Sequence, residues 1–240
     1  MKKLVIIATI LGTLGPATLR LHAQGYGVFL SGGVATMRMD DMKYLLESIM
    51  DTYPVDARVI SSFPPFTSVS VGFMKRSYPH LKLGAGYGYT TSGAKGNYTD
   101  HSGSLTTEIT AISHQLGGIF GYSPLTGDRV EFSLLGRVHL NMTRMNVSTL
   151  LIASGYSSGF DTKYTSFSPQ VSGLAELLYH TGKFSLGVEG GYLIDIPGKL
   201  KSGGGSELAD PADPRTTLTS DWTGWRIGIK GILWLEPEGD

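Results

Sequence analysis

The sequence predicts an all-β protein, an eight-stranded antiparallel up-and-down transmembrane β-barrel with short turns at one end and long loops at the other. Three observations carry this. Apolar residues alternate with Gly, Ser, Thr and charges at the period of a strand with two unlike faces. The connections between these segments switch regularly between short and long. The composition, with 33 glycines in 240 residues and only 17% charged side chains, fits neither an ordinary soluble enzyme nor a helical membrane bundle. At 41% hydrophobic the chain is also too apolar to be disordered. The 20 basic and 20 acidic residues cancel, so no whole-chain field attracts nucleic acid and no such partner is expected. The absence of cysteine removes disulfides, Cys-ligated zinc, iron–sulfur clusters and thiol catalysis together.

Residues 1–23 read as an export signal. Met1-Lys2-Lys3 is a positive start, Leu4 to Leu14 an uncharged apolar run, and Gly15-Pro16 a helix break before Leu21-His22-Ala23. The run is about half the roughly 20 residues of a spanning helix. The second expected unit, 24–240, is therefore the barrel, and its membrane residence must come from strands.

In chain order the predicted strands are Val28–Val34, Val69–Phe73, Leu81–Tyr89, Ile112–Tyr122, Val130–Met142, Val171–Tyr179, Phe184–Asp195 and Trp222–Leu235. The last is the clearest: Trp225, Ile227, Ile229, Gly231, Leu233 and Leu235 form one face, and Arg226, Gly228 and Lys230 the other. Lys75–His80, Ser123–Asp128 and His180–Lys183 are short turns carrying Pro79, Pro124, Gly127 and Gly182. The other connections, Met37–Pro65, Thr91–Ser104, Thr143–Thr165 and Pro197–Asp221, far exceed the usual loop median of about 4 to 6 residues. Within the first, Asp41 to Thr52 is predicted helical, with Met42, Leu45, Leu46, Ile49 and Met50 on one face and Asp41 as cap or first-turn charge.

Alternation does not say which face points inward, but charge does. Lys82, Glu131, Arg137, Glu176, Glu189, Asp195, Arg226 and Lys230 share the face opposite the apolar row. Facing one another in a narrow lumen they can neutralise each other, whereas an Arg or Lys turned to lipid at the midplane costs roughly 2–4 kcal/mol. These eight are the candidate site residues, a lumen charge network, with Arg226 and Glu189 as a pair if the register allows. Tyr26, Tyr87, Tyr89, Tyr122, Tyr179, Tyr192, Trp222, Trp225 and Trp234 fall near strand ends, where aromatic girdles belong.

On this pattern, from Gln24 to Leu235, the chain resembles the small eight-stranded outer-membrane β-barrel proteins of Gram-negative bacteria, of the OmpA/OmpX type. Lys230-Gly231-Ile232-Leu233-Trp234-Leu235 is similar to the closing-strand signal of that family, although Glu236 to Asp240 follow it. The resemblance implies short periplasmic turns, long extracellular loops, and a non-enzymatic role in membrane integrity, adhesion or surface interaction. The implied partners are outer-membrane lipids, the barrel-insertion machinery and an extracellular ligand held by the loops.

The remaining features point to no chemistry. Gly203-Gly204-Gly205 lacks the strand–helix context of a phosphate loop, and the six histidines have no metal-ligand spacing. Ser133 and His139 share a face but stand roughly 20 Å apart at about 3.3 Å per residue. No cofactor, no metal and no catalytic residue is expected. The competing readings are a lipid-modifying outer-membrane enzyme, which needs a Ser, His and carboxylate group converging on the outer-leaflet face, and a soluble secreted barrel that binds an apolar ligand.

Overall fold

The computed structural model describes residues 25–53, 58–78, 80–153, 155–211 and 213–235. Residues 1–23, expected to be an export signal, and residues 236–240 lie outside them. Eight strands form one antiparallel ring: β1 (Tyr26–Ala35), β2 (Phe66–Tyr78), β3 (Leu81–Asp100), β4 (Gly103–Thr126), β5 (Val130–Ala153), β6 (Tyr156–Thr181), β7 (Phe184–Asp195) and β8 (Gly224–Leu235). β1 is paired along its whole length on both sides, from Tyr26↔Leu235 to Ala35↔Arg226 with β8 and from Tyr26↔Lys75 to Ala35↔Phe66 with β2. The ring therefore closes without a free edge.

Two of the four long connections expected to be loops are strand. β3 and β4 stay paired to Asp100↔Gly103, and β5 and β6 to Ala153↔Tyr156. Both hairpins close in tight turns, the second through Gly155, whose φ of 86° suits a residue without Cβ. Strands of 24 and 26 residues far outrun the roughly 9–11 that cross a bilayer, so about half of each stands beyond it.

The reason lies in a change of phase. In the first part of β5 the outward residues are Val130, Leu134, Val138 and Leu140, all exposed, and the inward ones Glu131, Ser133, Arg137, His139 and Asn141, all buried. Past Thr143 the outward residues become Arg144, Asn146 and Ser148, with Leu150 and Ile152 exposed only near the hairpin tip, and the inward ones Met145 and Val147 followed by Thr149. β4 makes the same exchange, from outward Phe120 and Leu116 to Thr110, Glu108 and Thr106, and from inward Gln115 and Ser113 to Ala111, Ile109 and Leu105. Period two is kept throughout while polarity inverts. Apolar outside and charged inside is the arrangement of a barrel in lipid; the reverse is that of a sheet in water.

The apolar mouth is filled by the β1–β2 connection. Its helix α1 (Asp40–Asp51) buries Met42, Leu45, Leu46 and Met50, the i, i+3, i+4, i+8 stripe of an amphipathic helix. The helix sits one residue earlier than expected, and Asp41 is not its cap: Met39 holds that position in left-handed backbone with no side-chain cap. Asp41 instead accepts the Thr219 amide at 2.9 Å and the Thr219 hydroxyl at 2.7 Å, tying the helix to the β7–β8 connection. α1 packs so near β3 that a Cβ at Gly96 would lie 2.8 Å from Met50 Sδ.

Candidate functional site

The structure brings Lys82, Glu131, Glu176, Lys230, Glu189 and Arg137 together in one chain of ion pairs on the inner face of the ring and places Asp195 and Arg226 on the same face. Lys82, near the start of β3, reaches Glu131 at 2.6 Å, Glu176 at 2.9 Å and the Ser133 hydroxyl at 2.9 Å. Glu176, on β6, also pairs with Lys230 of β8, whose ammonium is 3.7 Å from Glu189 of β7. Glu189 accepts Arg137 at 2.6 Å and the Ser31 hydroxyl at 3.0 Å. Lys82, Glu131, Glu176 and Lys230 are each at most 1% exposed. Burying such ions is tolerable only because each has an opposite partner and further hydrogen bonds.

The other two stand apart. Asp195 accepts Ser168 Oγ at 2.7 Å and the Trp222 amide at 3.0 Å, holding the β7–β8 connection over the lumen. Arg226 donates to Gln115 Oε1 at 3.0 Å and makes no ion pair with Glu189. The register explains this: Arg226 lies opposite Gly191, while Glu189 lies opposite Gly228. Arg137 and Lys230 reach Glu189 instead.

Two members of the network escaped the sequence reading. Arg76 and His180 both bind Glu131, His180 Nε2 at 3.1 Å. Each sits in a segment read as a turn, yet β2 runs on to Tyr78 and β6 to Thr181. The parity of Val69, Val71 and Phe73, extended three residues, places Arg76 inward.

His180 Nδ1 also lies 2.6 Å from Ser185 Oγ, which brings a serine, a histidine and a carboxylate together. Ser185 is 1% exposed and its hydroxyl accepts the Trp234 indole N–H at 2.8 Å. Ser185 and Glu131 are buried while the His180 side chain is 16% exposed, and the trio lies at the short-turn end of the ring. Ser133 is hydrogen-bonded to Glu131 and Lys82, not to His139.

Of the expected girdle aromatics, Trp222 and Trp234 are not on the outer surface. Trp222 is buried beneath α1 and donates to Thr143 Oγ1 at 2.8 Å; Trp234 points inward, with Arg76 over its ring. Trp234 has the even parity of Arg226 and Lys230 on β8, and Trp222 lies just before the strand. Tyr26 and Tyr179 at the turn end, and Tyr89, Tyr87 and Trp225 toward the other, are exposed as expected. Tyr87 Oη is 2.6 Å from His114 Nδ1, and Tyr192 packs edge-on against Trp225.

Beyond the apolar belt the surface is polar and tightly turned. Asp100 accepts the Ser102 hydroxyl and amide, the Gly103 amide and the Tyr98 hydroxyl, which hold its carboxyl well below the usual range. Thr217 and Lys199 hold the Glu207 carboxyl down in the same way. Among the described residues no group of His, Asp and Glu is arranged to hold a metal ion.

No family model matches the chain, and no curated protein matches its sequence. Among solved structures the chain is similar to Ail, the attachment invasion locus protein of Yersinia pestis, solved with the heparin analogue sucrose octasulfate. The identity is 10%, over 89% of this chain and 99% of that one, with a TM-score of 0.40. It is also similar to Neisserial surface protein A, at 13% identity over 87% of this chain and 96% of that one, with a TM-score of 0.38.

Proposed function

We propose that the chain is exported by its first 23 residues and closes in the outer membrane of a Gram-negative cell as a non-enzymatic anchor, presenting a folded β-head at the cell surface for adhesion or other surface contact. The observation that carries this reading is the inversion of polarity along β4 and β5, lipid-type on the side of the short turns and water-type on the side of the long hairpins. The lumen charge network supports an anchor that conducts poorly. Eight strands leave an interior that side chains just fill, and here ion pairs fill it below and α1 above. The buried serine supports a role without hydrolysis. The immediate partners are outer-membrane lipids and the barrel-insertion machinery, and the ligand of the head is met through the β3–β4 and β5–β6 hairpins and the β7–β8 connection.

Fractionation combined with protease treatment of intact cells tests the reading. The protein should pellet with outer membranes, resist extraction without detergent, and be cut from outside within residues 196–223 while the barrel survives. Deleting Trp222–Leu235, the strand that closes on β1, should abolish insertion. Recovery in the soluble periplasmic fraction, or normal membrane yield of the truncation, would contradict it.

A further inference from the structure

The charges in the lower lumen do not balance. Among the described residues five cations point into it, Arg76, Lys82, Arg137, Arg226 and Lys230, against four carboxylates, Glu131, Glu176, Glu189 and Asp195. The surplus is localised. Arg76, Lys82 and Lys230 each hold a carboxylate directly. Among the described residues Arg226 has the neutral amide of Gln115 as its hydrogen-bond acceptor; Arg137 repels it, and Asp195 and Glu189 attract it without forming an ion pair. Arg137 spends Nη2 on Glu189 and leaves Nε buried without a partner, as is Nδ1 of His139. Both side chains are more than nine-tenths buried.

Arg137, His139, Gln115 and Arg226 line one cavity of about 40 Å³, between the ion-pair chain below and the apolar mouth above. That is room for roughly one to three bodies the size of a water molecule. A Cβ at Gly88 would stand 3.0 Å from Gln115 Oε1, so the glycine gives the amide space to turn toward Arg226. A surplus cation in a low-dielectric interior is costly, and water alone leaves the sum at five against four. A phosphate or sulfate carries more negative charge than the single surplus cation offsets.

We propose that this cavity binds one small monovalent anion, a halide ion, between the Arg137 and Arg226 guanidinium groups, with His139 Nδ1–H as a further donor. Binding brings the lumen to five positive and five negative charges and satisfies both buried N–H groups at once.

The test uses the folded protein in phosphatidylcholine vesicles, unfolded by urea at fixed ionic strength as bromide replaces gluconate. The folded-to-unfolded ratio should rise with bromide, by about 100-fold at 100 times the dissociation constant. Arg226→Gln, which leaves four charges against four, should lose this dependence, and Lys163→Gln, on the exposed face of β6, should keep it. A ratio indifferent to bromide, or a dependence that survives Arg226→Gln, would overturn the site. Should Arg226→Gln not fold, crystals of the unaltered protein grown with bromide decide. An anomalous peak within hydrogen-bond reach of Arg137 Nε and Arg226 supports the proposal, and no peak there overturns it.

Discussion

Strand β5 is two strands in one. Below Thr143 it turns Val130 to Leu140 outward and Glu131 to Asn141 inward; above it Arg144 to Ser148 face out and Met145 and Val147 face in. The backbone ladder to β6 runs through the change without a register shift. Hydrogen bonding is therefore indifferent to the surroundings, and side-chain polarity alone records where lipid gives way to water. The two halves also fill their interiors differently. The lower one uses ion pairs that need one another, and the upper one an apolar plug of α1, Phe63, Leu200, Leu218 and Trp222.

The largest way to break the comparison is in the lower half. Glu176→Leu leaves Lys82 and Lys230 without their shared carboxylate and should cost about 3–5 kcal/mol in vesicle unfolding. Glu176→Leu with Lys230→Leu should recover part of it, and purely additive losses would deny the coupling. In the upper half Leu46→Ala should cost about 2–5 kcal/mol through cavity formation. That loss should be local, seen as faster proteolysis near α1 while the barrel keeps its heat-dependent shift on gels. Coincident loss of both would mean that the halves fold as one unit.

The outer surface sharpens the contrast. Ile229→Lys, in the middle of the apolar row of β8, should lower stability in lipid by about 2–4 kcal/mol. Ser148→Lys, outward past the change of phase, should stay within about 0.5 kcal/mol. Equal costs would remove the boundary.

The smallest effect is at the tip of the β3–β4 hairpin. The carboxyl of Asp100 is held low by Ser102 first, then Tyr98 and the Ser102 and Gly103 amides. A carboxyl depressed in the fold stabilises it above its ordinary range, about 3.9 for Asp, and loses this contribution as pH falls from there toward the lower folded value. The Ser102 and Gly103 amide resonances should hold steady from pH 7 to about 4 and move only at lower pH, and Asp100→Asn should abolish that movement.

The lower half was legible because alternation and charge agree there: Lys82, Glu131, Arg137, Glu176 and Lys230 each stand opposite an apolar row. Arg76 and His180 are hidden because each lies beyond the end of its strand's apolar row. The upper halves of β3 to β6 are hidden for the same reason: Arg144 interrupts the outward apolar row while Met145 and Val147 resume it on the other face, so the strand shows only where the phase is allowed to invert. The partner of Arg226 is not legible, because a two-residue offset in register carries it past Glu189 and nothing local fixes the register of β7 on β8.

The central claim, that the apolar face of the ring meets lipid while the opposite face is sealed inside, is tested most directly by the three native tryptophans. Trp225 is 61% exposed on the outer surface, Trp222 is 1% exposed under α1, and Trp234 points into the lumen beside Arg76. In variants that keep one tryptophan and replace the other two by phenylalanine, brominated lipids in the vesicle should quench Trp225 strongly and leave Trp222 and Trp234 bright. Quenching of Trp234 with Trp225 spared would place the charged face outward and contradict the account.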